Sequence, residues 1–195
     1  MTVWLVRHAL PLIAPGVCYG ALNVAADAAA TQEAAEKLAQ ALPLPHNRAS
    51  ELSGDLSCQL QVWVSPLQRC EQLAQALRGL RPDLAFKTDA RLQEMNFGAW
   101  EGQRWDALPR HELDAWTDNF SQWHCGGGEN VAQFMQRVAA AWDAFTASHR
   151  SGVWLTHAGV IRAASLIAAS QRQVLHANQW PAAAPGFGQW QTLDN

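Results

Sequence analysis

Two histidines and two arginines stand out by where they fall in the chain. Arg7 and His8 close the apolar run Thr2-Val3-Trp4-Leu5-Val6. Gly152-Val153-Trp154-Leu155-Thr156 runs in the same way into His157, and Gln61-Val62-Trp63-Val64 leads shortly to Arg69. Imidazole can act as nucleophile or base near neutral pH, and guanidinium offers oxyanions a fork of parallel donors. If their strands are neighbours in a parallel sheet, these groups converge into a pocket for a dianion, and a phosphoryl group is its natural occupant. A histidine inside such a pocket can attack phosphorus directly and become phosphohistidine. Glu94 and Glu101, in the segment from Arg91 to Gly102, add carboxyls that could move a proton. Singly, each residue has a plainer reading: a core-edge histidine bonded to a carbonyl, a solvated arginine, a surface acid. The repeated design of strand, then charge, is what joins them.

The elements that must position them follow from hydrophobic periodicity. The runs 2–7, 61–64 and 152–157 read as buried parallel strands, and 84–88 and 187–193 as a short strand and an edge strand. In open α/β sheets ligands bind beyond the carboxyl ends of the strands, so Arg7, His8, Arg69 and His157 would converge at one edge. Apolar spacing predicts a helix over 31–42, with Thr31 as N-cap and Pro43 and Pro45 ending it. A second runs from Ser65 as N-cap and Pro66 at the first helical position to about Gly79. Arg69 in its first turn opposes the helix dipole, a placement that makes sense for holding an anion. Longer stripes mark helices over 131–148 and from Ala158 to about Ser170. The loop 9–20, with two prolines and two glycines, could wall a pocket, and 46–60 reads as loop with a short helical turn. Residues 105–124 read as short helices. Their Trp105, Trp116, Phe120 and Trp123 serve either to stack on a planar substrate or to pack a core. Gly126-Gly127-Gly128 follows no strand and carries no lysine, which excludes a P-loop and leaves a glycine-rich helix entry with Glu129 favourable at its start. The expected fold is α/β: a three-layer αβα sandwich with a mainly parallel sheet and a small helical cap over 89–130, in a single domain spanning 1–195.

Composition narrows the classes. The chain has 195 residues, 49% of them hydrophobic, with a formal charge of -3 and no basic run. That excludes a disordered chain and a nucleic-acid footprint. No stretch is apolar enough for a membrane span, and Arg7 interrupts the first apolar run too early for a signal peptide. Cys18, Cys58, Cys70 and Cys125 lack metal-site or disulfide-framework spacing, so four free thiols in a reducing cytoplasm are expected. The chemistry calls for no metal or cofactor, and the expected partner is a small phosphate ester.

Motifs in order along residues 3–162 carry a resemblance. Val6-Arg7-His8, Ser65-Pro66-Leu67-Gln68-Arg69, Leu92-Gln93-Glu94 with Phe97 to Gly102, Gly127-Gly128-Glu129 and Thr156 to Arg162 resemble the histidine phosphatase superfamily, the phosphoglycerate mutase-like proteins. Within it, Gly16 to Gly20 and Asn96 to Gly102 look most like the α-ribazole phosphatases of cobalamin biosynthesis. The resemblance implies His8 as nucleophile, Arg7, Arg69 and His157 as phosphate ligands, and Glu94 as the acid that becomes the base, with Glu101 structural. The chain departs from the family pattern at Ala9 and Ala158, where glycine is usual. It also departs at Leu10 to Ile13, where a Glu-Thr pair and a phosphate-contacting asparagine are usual, and at Asn23, where the α-ribazole relatives often place an acid. Its shortness implies hydrolysis rather than mutase chemistry. Mutase or sugar-phosphate phosphatase activity, and a non-catalytic phospho-ligand module, are the competing readings.

Overall fold

A computed structural model of the chain describes residues 1–44 and 60–194. Pro45, Cys58 and the loop expected over 46–60, apart from Leu60, lie outside the described residues. Among the described residues five strands form one sheet: β1 (Thr2–Arg7), β2 (Gln61–Val64), β3 (Ala85–Thr88), β4 (Gly152–Thr156) and β5 (Trp190–Asp194). Their spatial order is β3-β2-β4-β1-β5. The first four strands are parallel, and β5 runs antiparallel along β1. Arg7 is in register with Thr156 and Val64 with Leu155, so the carboxyl ends of β1, β4 and β2 finish side by side.

Side chains alternate across this sheet, as the strand period demands. Val3, Leu5, Trp63 and Trp154 face one core, and Val6, Val62, Val64, Val153 and Leu155 face the other. The first core is covered by α4 (Val131–Thr146) and α5 (Ala158–Ala168), the second by α1 (Ala28–Ala41) and α2 (Gln68–Leu80). This is the expected three-layer arrangement. Every residue of the central strand β4 is buried. Between β3 and α4 the chain makes three short 3-10 turns and α3 (Arg110–Asp118), with a further turn at Cys125–Gly127. No helix among the described residues is long and apolar enough to cross a membrane. Cys18, Cys70 and Cys125 are free and buried, and burial pushes each thiol up to about 12.

Two helix starts differ from expectation. Helix α1 begins at Ala28, capped by Asp27, whose carboxylate accepts from Ala30 N at 2.8 Å. Three alanines extend it, and Thr31 lies inside with its hydroxyl donating to Asp27 O. Helix α2 begins at Gln68, not behind a Ser65 cap. Ser65 N continues the β ladder to Leu155 O at 3.0 Å, and its hydroxyl is occupied by His157. The amide of Gln68 is satisfied from outside by Asn23 Oδ1 at 2.7 Å. Helix α4 carries the strongest local signal, a capping box in which Asn130 and Gln133 exchange side chain–backbone bonds at 2.8 and 3.2 Å.

Candidate active site

His8 extends β1 by one residue, its amide donating to Thr156 O at 3.0 Å, which sets it beside His157 with ring centroids 5.2 Å apart. Its ring is 2% exposed and Nδ1 lies 2.7 Å from Ala9 O. A carbonyl can only accept, so Nδ1 carries the proton and Nε2 keeps its lone pair. Burial, with Arg69 and Arg7 nearby and opposed by the bond to Ala9, lowers His8 to about 3. The imidazole is therefore neutral, with Nε2 unprotonated.

Arg69 is fully buried in the first turn of α2. Its guanidinium donates to Gly20 O at 2.7 Å, to Leu22 O at 2.9 Å and, through Nε, to His157 Nδ1 at 3.3 Å. Of the five N–H groups of a guanidinium, two stay uncommitted by these bonds. Loop 20–22 is fixed in turn by Glu101, whose carboxylate accepts from Ala21 N and Phe97 N at 2.8 and 2.9 Å and from Leu22 N. Glu101 is thus a staple behind Arg69. The approach of this loop to the 95–97 segment requires glycine at position 20: a Cβ there would lie 1.7 Å from Met95 O.

Arg7 donates to Pro185 O at 3.0 Å and lies 3.9 Å over the Phe187 ring, and its Nε is buried without a partner among the described residues. The Tyr19 ring lies 5.3 Å from the Arg69 guanidinium. Behind this group His157, fully buried, accepts from Arg69 at Nδ1, so its proton is on Nε2, pointing to Ser65 Oγ at 2.8 Å. Burial first, then Arg69, holds His157 well below the usual imidazole value.

Glu94 reaches the same place from the far side of the sheet. Its carboxylate accepts from Met95 N at 3.1 Å and from Gly159 N, at the start of α5, at 2.9 Å. A Cβ on residue 159 would sit 2.2 Å from Glu94 Oε1, so this contact exists only because position 159 is glycine. Arg137 from α4 donates to the carbonyls of Arg91, Gln93 and Glu94 at 2.8, 2.7 and 3.0 Å. The same guanidinium grips Glu129 at 2.7 Å. The Gly127-Gly128-Glu129 motif therefore acts on Glu94 through Arg137.

Arg7, His8, Arg69 and Glu94 line one cavity of about 310 Å³; His157 stands behind it. Of loop 9–20 only Tyr19 reaches the cavity, while Leu10 and Leu12 are 50% and 62% exposed. The tryptophans divide: Trp63, Trp100, Trp142 and Trp154 pack in the core, whereas Trp105, Trp116 and Trp180 line the cavity. Sequence reasoning assigned no site role to Tyr19, Arg137, Arg162 or Trp180, and it read Ser65 as a cap. Arg162 had a usable signal, because it lies four residues after Ala158 and so on the same face of α5.

Residues 3–183 match the family described as the histidine phosphatase superfamily (branch 1). No curated protein matches the chain. Among solved structures, TTHB049 from Thermus thermophilus is 26% identical with a TM-score of 0.68, covering 100% of this chain and 94% of its own. A mycobacterial glucosyl-3-phosphoglycerate phosphatase shares the fold at 24% identity and TM-score 0.73, covering 98% of this chain and 88% of its own. Mycobacterial hydrolase 2 does so at 24% and 0.69, covering 98% and 80%. With the family match spanning nearly the whole chain, over the segments that carry Arg7, His8, Arg69 and His157, the protein belongs to the histidine phosphatase superfamily, branch 1, and is a phosphohydrolase.

Proposed function

We propose that the protein is a metal-independent phosphomonoesterase that works through a phosphohistidine on His8. The observation that carries this reading is the state of His8: neutral, proton on Nδ1, Nε2 free, in one cavity with Arg7, Arg69 and Glu94. In the first step Nε2 attacks phosphorus. The N–P bond forms as the ester P–O bond breaks, and the leaving oxygen takes a proton from the Glu94 carboxyl. In the second step Glu94, now a carboxylate, removes a proton from water. The water oxygen attacks phosphorus, and the N–P electron pair returns to Nε2. Ester and water become alcohol and phosphate, with enzyme restored. Arg7 and the two uncommitted N–H groups of Arg69 stabilise the charge that spreads over the equatorial oxygens.

His157 joins this set through a tautomer change. To donate to a phosphate oxygen its Nδ1 must gain the proton, Ser65 Oγ–H then donating to Nε2. An arriving dianion, which draws the Arg69 donors toward itself, favours that exchange.

Hydrolysis is favoured over mutase chemistry, and α-ribazole 5′-phosphate is the candidate physiological substrate, on the strength of the Gly16–Gly20 and Asn96–Gly102 motifs. Sugar phosphates and phosphoglycerates are the alternative. Phosphate release from these esters in the presence of chelator, with His8→Ala in parallel, is the test. Turnover abolished in the variant supports the reading, and turnover that depends on added metal or persists in His8→Ala overturns it.

A further inference from the structure

Phe187 is an aromatic residue without a core. Among the described residues it belongs to neither hydrophobic cluster that flanks the sheet, and it stays 38% exposed. Its ring partners are two groups of the site: the centroid lies 3.9 Å from the Arg7 guanidinium carbon and 5.6 Å from the His8 ring centroid. Burial of apolar surface does not explain a ring so placed.

The chain fixes the ring there. Residues 186–189 make a reverse turn in which Gln189 N donates to Gly186 O at 3.1 Å. Phe187 takes its second position, and Gly188 takes the third with φ of +70°, as a type II turn requires. A Cβ at position 188 would also meet Ala34 Cβ at 2.8 Å. The turn prolongs the pairing of β5 with β1: Arg7 N donates to Gln189 O at 2.9 Å, and Gly188 N donates to His8 O at 3.0 Å. The ring is thus hung from the backbone of the two residues it touches.

Arg7 needs such a hold. Arg7 and Arg69 line one cavity, and before an anion arrives their like charges repel. The Pro185 carbonyl takes one N–H in the plane of the Arg7 guanidinium, and Phe187 takes its face. Face and edge do not compete. The ring quadrupole attracts the cation from one side, while the in-plane donors, among them the buried and unpartnered Nε, stay available to an oxyanion.

We propose that Phe187 is a positioning residue for the reaction: by a cation–π contact it holds the Arg7 guanidinium in the orientation that receives the phosphoryl group. This role rests on the reading of the cavity as a phosphoryl site.

The test reads the dissociation constant of inorganic phosphate by calorimetry, which needs no turnover. Phe187→Leu is expected to weaken binding about ten-fold, within the range of a partly desolvated cation–π pair, and Phe187→Trp to restore it. In an Arg7→Met background the same Phe187→Leu change is expected to cost less than about two-fold, because the pair is already broken. Replacing Phe187 by mono-, di- and trifluorophenylalanine drains the face of the ring of negative potential with little change of shape, so affinity is expected to fall stepwise, which loss of packing alone would not produce. Unchanged affinity in Phe187→Leu, a loss of equal size in the Arg7→Met background, or affinity indifferent to fluorination overturns the role of Phe187 and leaves the phosphoryl site standing. A wild-type protein that binds no phosphate overturns the phosphoryl-site reading itself, and the role of Phe187 with it.

Discussion

The neutral, buried state of His8 makes stability fall with acid between about pH 7 and pH 5. In the unfolded chain the imidazole titrates at its ordinary 6.5, and in the folded protein at about 3. Between these values the unfolded state binds a proton that the folded state refuses, so stability is complete above the unfolded value and drains away as pH falls. Linkage over the span from about pH 7 to about pH 5 gives a loss of about 2 kcal/mol for His8 alone. His157, pushed the same way by burial, steepens the slope further. Carboxylates such as Asp83 and Asp143, held below their usual range by Arg81 and Arg172, lose their pairing only at lower pH and leave this window to the histidines. Urea titrations at the two pH values measure the difference, and His8→Asn isolates the share of His8. The expected result is a drop of at least that size in the wild type and a drop smaller by about 2 kcal/mol in the variant. Equal stability at both pH values, or an unchanged drop in His8→Asn, would refute the assignment of a neutral His8.

Three further outcomes follow from the site. Arg69→Met should lower kcat/KM roughly 100- to 1,000-fold, the loss of about 2.7–4 kcal/mol seen when an oxyanion donor is removed, and near-wild-type rates in steady-state assays would break the convergence of the strand ends. Glu94→Gln should impair alkyl phosphates far more than p-nitrophenyl phosphate, whose leaving group departs without a proton; equal losses would move the acid elsewhere. Ser65→Ala should raise KM and the inhibition constant of inorganic phosphate by about ten-fold, the worth of one hydrogen bond acting through His157, and Ser65→Thr should restore both. Unchanged phosphate inhibition in Ser65→Ala would remove Ser65 from the account.

Strands β1, β2 and β4 are legible in the sequence because buried parallel strands are continuous apolar runs, and the residue that ends each run is the one that emerges at the sheet edge. That is why Arg7, His8 and His157 could be named before their neighbours were known, and Arg69 followed because the helix after β2 starts at the same edge. The Ser65-Pro66 pair misled because a local capping signature competes with a tertiary bond: His157, distant in sequence, takes the hydroxyl. Thr31 misled for a simpler reason, since Asp27 caps one turn earlier and alanines carry the helix back to it. Arg137 was invisible because its work is done on main-chain carbonyls, which leave no mark in side-chain pattern. The wall of the cavity was half legible. Trp105 and Trp116 stood in a segment read as a cap, but Trp180 comes from irregular chain near the C-terminus, and no periodicity announces it. The reading as a binding module without turnover is set aside by membership in a family of phosphohydrolases.

The central claim is a covalent N–P bond on His8. Rapid acid-free quenching of the protein milliseconds after mixing with a radiolabelled phosphate ester, in chelator, shows that bond directly. The account predicts protein-bound phosphate that is stable to alkali, labile to acid, mapped to the peptide containing His8, and absent from His8→Asn. Steady turnover with no label on His8, or label on another residue, would contradict it.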